Sequence, residues 1–107
     1  MMMPTAPGPA LLRCLVVAAL LLFSACGERA MEVEASCGQC NFAMPVPPGC
    51  DLAVRIEGKS YFVDGSNIDD HGDAHAKRGM CNVVRKARVT GEVVDDRFVA
   101  TSFALID

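Results

Sequence analysis

The stretch DLAVRIEGKSYFVDG, residues 51 to 65, constrains the fold more than any other part of the chain. Leu52, Val54 and Ile56 alternate with Ala53, Arg55 and Glu57. A period of two places the two sets of side chains on opposite faces of a strand. Gly58 and Lys59 supply a tight turn, and SYFV returns as the partner strand. Weaker alternation predicts a first strand near 32–36, and RVTGEVVDDRFVATSFALID reads as a second hairpin, with strands near 88–94 and 97–106 turning at Asp95 and Asp96. Between 41 and 50, Pro45, Pro47, Pro48 and Gly49 deny the backbone a regular ladder, so that segment is a loop.

The segment after the first hairpin, SNIDDHGDAHAKRGMCNVVRKA, reads as helical. Ser66 is an N-cap with Asp69 three residues on. Asp69, Asp70 and Asp73 suit the positive end of a helix dipole, and Lys77 and Arg78 the other end. Gly72 and Gly79 each weaken such a helix by about 1 kcal/mol relative to alanine, so a break or kink is expected. Met80, Val83, Val84 and Ala87 repeat a short helical period behind it. Five short strands with one helix between the third and fourth predict an α+β, mostly β domain. The expected architecture is a small five-stranded barrel of the oligonucleotide/oligosaccharide-binding (OB-like) type, or a small sheet with one packed helix.

The N-terminus carries an address. In LLRCLVVAALLLFSAC, Arg13 precedes an apolar run from Leu15 to Phe23, and the small residues Ser24 and Ala25 precede Cys26. That is the pattern of a secretory signal peptide over residues 1–25, and the run is well short of the roughly 20 residues a membrane span needs. FSAC followed by GE resembles the lipobox of bacterial lipoproteins, with Phe23 where leucine is usual. The resemblance implies that Cys26 becomes the lipid-carrying N-terminus and that residues 26–31 form a tether. Residues 32–107 would then be one small β-rich domain. It also implies a cell-envelope location, facing the periplasm or the exterior, with the membrane as partner.

From Cys26 onward the chain has 82 residues, with nine Lys and Arg against thirteen Asp and Glu. The densest basic run, RKAR at 85–88, reads as a solvated face, so nucleic acid is not an expected partner. So short a chain buries a marginal fraction of its surface, and cross-links or a metal are expected to help. Export permits disulfides. With Cys26 assigned to lipid, four cysteines remain, Cys37, Cys40, Cys50 and Cys81, an even set with three possible pairings.

Cys37 and Cys40 are spaced C-x-x-C. A thiol redox pair needs the first cysteine at a helix start, whereas NFAMPVPP follows and does not favour one. Haem attachment needs histidine after Cys40, and Asn41 stands there. A metal reading draws on His71 and His75, the only histidines in the chain and four residues apart, which share one face if the segment is helical. Cys37, Cys40, His71 and His75 would make a Cys2His2 site for zinc or copper, leaving Cys50 and Cys81 to bridge. Asp69, Asp70 and Asp73 would steer cations or hold the second histidine nitrogens, and Met44 and Met80 would suit copper(I). The competing reading has both histidines packed on the inward stripe with Ile68. All four cysteines then form two disulfides, each worth about 2–4 kcal/mol. No nucleophile elbow, triad or phosphate loop occurs, so the chain reads as non-catalytic.

Taken together, CGQCNF, GCDLAVRIEGKSYFVDG, DDHGDAHA, CNVVRKARVTGEV and RFVATSF resemble a family of small exported bacterial proteins with no assigned function. The resemblance spans most of residues 33–105. It implies that Cys37, Cys40, Cys50, His71, His75 and Cys81 act as one unit, and it implies no activity.

Overall fold

A computed structural model describes residues 29–107 of the chain. Residues 1–25, expected as a signal peptide, and Cys26, expected to carry lipid, lie outside the described residues. Five strands form: β1 (Met31–Cys37), β2 (Leu52–Ile56), β3 (Lys59–Asp64), β4 (Arg85–Val94) and β5 (Arg97–Leu105). They close into a barrel in the order β1-β2-β3-β5-β4, with β4 returning to β1. Every pairing is antiparallel except β3 with β5. Among the described residues no helix is long and apolar enough to cross a membrane.

Both hairpins turn on two residues in the left-handed region. Glu57 and Gly58 have φ of 52° and 85°, one position earlier than the expected Gly58–Lys59. Asp95 and Asp96, at 52° and 67°, turn where expected. Such turns match the right-handed twist of the flanking strands. On β4 a bulge falls between Thr90 and Gly91. Gly91 has φ of 147°, and a Cβ there would run into the carbonyl of Val99. Only glycine fits.

The barrel interior takes alternate residues of the strands: Val33, Ala35 and Cys37 from β1, Leu52 and Val54 from β2, Ala87 and Val89 from β4, and Phe98 from β5. Ile68, Ala74 and Met80, from the connection between β3 and β4, close one end. A second, smaller cluster lies on the opposite face of the first hairpin. There Ala53 and Phe62, paired across β2 and β3, are covered by Phe42 and Met44. The guanidinium of Arg55 sits 4.2 Å from the centre of the Phe42 ring, a favourable cation–π placement.

The expected helix between β3 and β4 does not form, and this overturns the predicted architecture. The α-helix of the described residues is a single turn, α1 (Gly38–Asn41), placed before β2. The segment after β3 holds a four-residue 3-10 helix (Ile68–His71) and then turns. Local chemistry explains the difference. Gly72 ends the 3-10 helix with φ of 97°. The Asp73 carboxylate accepts from the His75 N–H at 2.9 Å, and the Asn82 amide donates to the carbonyls of His75 and Ala76. These side chains satisfy backbone groups that a helix would otherwise have paired. The carboxylate cap is also displaced, with Asp70 accepting from the N–H of Asn67 rather than Asp69 serving Ser66. The short helical period at 80–87 is likewise not realised, because β4 already begins at Arg85.

His71 is half-buried, its ring 4.7 Å from that of Phe103 and its Nε2 2.7 Å from the Ser66 hydroxyl. Burial holds its pKa below the usual 6.5, and the Asp70 charge opposes this only in part. A group of lowered pKa favours the fold while it is neutral, so its contribution is complete above pH about 6.5 and is lost as pH falls through the folded value. Urea midpoints at pH 7.5 and 5.5 should therefore fall further in the native chain than in His71→Phe. Equal losses would place the pH sensitivity elsewhere.

Candidate metal centre

Two consecutive backbone amides at the end of β1 assemble the site. The N–H of Cys37 donates to the carbonyl of Met80 at 3.0 Å, and the N–H of Gly38 donates to that of Asp51 at 2.9 Å. The residues next to those two acceptors are Cys81 and Cys50. Cys37 and Cys40 come from β1 and α1 themselves. The four sulfurs consequently lie within 4.8 Å of one another. A tetrahedral zinc–tetrathiolate places its sulfurs roughly 3.8 Å apart, from metal–sulfur bonds of about 2.3 Å. The closest pair here is Cys50 with Cys81, at 2.6 Å.

The residues between and beside the cysteines position the four sulfurs. Gly38 sits where any side chain would force its neighbours to move, because a Cβ would stand 2.6 Å from Cε1 of Phe62 and 2.9 Å from Sδ of Met44. Gln39 clamps the proline loop. Its amide donates to the Pro47 carbonyl at 2.8 Å and to the Asp51 carboxylate at 2.7 Å, while its oxygen accepts from the N–H of Asp51 at 2.8 Å. That fixes the chain on both sides of Cys50. Asn41 donates to Ser36 Oγ at 2.8 Å and to the carbonyls of Met80 and Cys81 at 3.1 and 3.4 Å. The Ser36 hydroxyl, fully buried, lies 2.8 Å from the Met80 carbonyl. Cys81 is held further by its own N–H, which donates to Ala74 at 2.9 Å.

The thiols are unequal. Cys37 is fully buried at the N-cap of α1, where its sulfur accepts from the N–H of Cys40 at 3.3 Å. Burial opposes its ionisation. Hydrogen bonds from the Cys50 and Cys40 thiols and from the Cys40 and Gln39 amides outweigh that opposition and lower its pKa. Hydrogen bonding to Cys37 pushes Cys40 up to about 11, with burial and the Cys37 charge adding. Burial, chiefly, also raises Cys50. A Cys37 thiolate thus opposes ionisation of Cys40 and Cys50 by charge repulsion. A bound cation would offset that repulsion, because it deprotonates coordinating thiols outright.

His71 and His75 are not brought to the four sulfurs. The only group of three or more candidate ligands among the described residues is Cys37, Cys40, Cys50 and Cys81. The one-face argument for the histidines needed a helix. His71 instead packs on Phe103, and His75 is exposed in a turn. Asp70 and Asp73 accept from backbone amides. Met80 is a core residue, and Met44 packs in the outer cluster. NFAMPVPP begins no helix, as expected, but Cys37 still stands at a helix start, as the N-cap of the single turn that GQCN forms ahead of the prolines. The expected metal set left Cys50 and Cys81 outside it as a bridging pair, and the cysteine count grouped all four only as disulfide candidates. The clamping roles of Gln39 and Asn41 had no sequence signal.

The family model that matches, over residues 31–106, is described as a family of unknown function, DUF6370. No curated protein and no solved structure matches the chain. The chain belongs to the DUF6370 family.

Asn41→Ala removes the donor to Ser36 Oγ and to the Cys81 carbonyl, while the Met80 carbonyl keeps the Cys37 N–H and the Ser36 hydroxyl, and should cost about 1 kcal/mol. Urea unfolding of the reduced protein measures it, and a loss near zero would show that Asn41 does not hold the Cys81 segment.

Proposed function

We propose that this DUF6370 protein is a lipid-anchored cell-envelope protein that binds one soft transition-metal ion through Cys37, Cys40, Cys50 and Cys81. The observation that carries the reading is the convergence of four sulfurs within 4.8 Å from three separate parts of the chain. Four sulfurs gathered within reach of one ion match zinc first. Copper(I) is the second candidate, since soft sulfur ligands select it too. The ligand set replaces the Cys2His2 set expected from spacing. The lipobox-like FSAC supports the anchor on Cys26, from which only a few residues lead to Met31, the start of β1. The barrel would then sit close to the membrane surface.

A second reading rests on the 2.6 Å approach of Cys50 to Cys81. Outside the cytoplasm that pair, and Cys37 with Cys40, would form two disulfides, and the domain would be a stapled interaction module. One experiment separates the two. Protein purified without an affinity tag is assayed for zinc, copper and iron, and its thiols are counted before and after reduction. The metal reading expects one ion per chain and four thiols in both counts. Two disulfides with no stoichiometric metal would overturn it.

A further inference from the structure

We infer that the ion on these four sulfurs is exchangeable cargo, and that it leaves or arrives by ligand exchange at Cys40 with an incoming thiolate. The inference rests on the metal reading above and on an asymmetry within the cluster. Cys37 has no exposed surface, and Cys50 and Cys81 are partly buried against the barrel core. Cys40 alone among the four is exposed. The backbone is anchored at all four positions: Cys37 and Cys81 donate to Met80 and Ala74, Gln39 clamps the chain around Cys50, and the Cys40 N–H donates to Cys37 Sγ. What sets Cys40 apart is its side chain, which is exposed on the one-turn α1 while the other three sulfurs are buried or half-buried.

An ion whose purpose is to hold a fold together is usually enclosed, with all its ligands set in the structure. Here the barrel has its own continuous apolar core, and none of its buried side-chain polar atoms lacks a hydrogen-bond partner. Three of the four sulfurs belong to or pack against that core, and the fourth, on Cys40, is exposed.

Exchange needs no redox step. An incoming thiol gives its proton to buffer, and its sulfur lone pair forms a new bond to the metal. The bond from the metal to Cys40 breaks, its electron pair stays on Cys40 sulfur, and that sulfur takes a proton from solvent. The metal keeps its oxidation state and its four sulfurs throughout. Cys37, Cys50 and Cys81 hold it until the acceptor has gained a second contact.

The test uses the full chain, reduced and loaded with one equivalent of cadmium(II), whose thiolate charge-transfer absorption reports binding. Failure to acquire that absorption at one ion per chain, with all four thiols free, defeats the metal reading itself. With the ion bound, the loaded protein is challenged with a dithiol chelator over a hundredfold concentration range. In parallel it is treated with iodoacetamide, and the sites of alkylation are mapped by mass. Cargo exchange through Cys40 expects a release rate that rises in proportion to the dithiol and alkylation of Cys40 at least tenfold faster than of Cys37, Cys50 or Cys81. A release rate independent of dithiol, or equal protection of all four thiols, overturns the inference while leaving the metal site in place.

Discussion

The two hydrogen bonds that leave the end of β1, from Cys37 to Met80 and from Gly38 to Asp51, are the constraint on which the rest of the molecule depends. They fall where a strand stops and a helical turn starts, so consecutive amides point to different neighbours instead of alternating across a ladder. One draws in the long connection before β4 and the other draws in the proline loop before β2. Closing the barrel end and gathering the four sulfurs are thereby one event. The bonds made by Ser36, Gln39 and Asn41 reinforce the same junction.

This arrangement explains the sequence CGQCN residue by residue. Cysteine at 37 serves as the last inward residue of β1 and as the N-cap of α1. Glycine at 38 lets the turn lie flat on Phe62, so the outer cluster of Phe42, Ala53 and Phe62 and the sulfur cluster are two sides of one short helix. Glutamine at 39 reaches the loop, and asparagine at 41 reaches the opposite segment. The prolines at 45, 47 and 48 do not prevent helix formation upstream. They stiffen the return path that Gln39 grips.

The strands were legible because their signals are local. Alternation in LAVRI, Gly58 and the pair Asp95 and Asp96 act within a few positions of one another, although the first turn falls on Glu57 and Gly58 rather than Gly58 and Lys59. The segment from Ser66 to Val84 was misread because its helical period competes with Gly72, Gly79 and the side chains of Asp73 and Asn82. A cap and a charge gradient do not outweigh that competition. The site was half legible for the same reason. Spacing alone identified Cys37 and Cys40, but Cys50 and Cys81 are 31 residues apart and meet only through the β1 junction. The spacing of His71 and His75 carries ligand meaning only on a helix the chain does not make.

The burial of Cys37 has a consequence for how such a chain can evolve. On the proposed metal reading, the demands of folding and of ligation fall on one atom at position 37, so a change there is penalised twice and a drifting lineage has little room. At position 40 the two demands separate. A lineage that exchanged Cys40 for another donor would alter what the site holds, and for how long, while inheriting the same barrel intact. Functional divergence within a family built on this junction would therefore begin at its exposed sulfur.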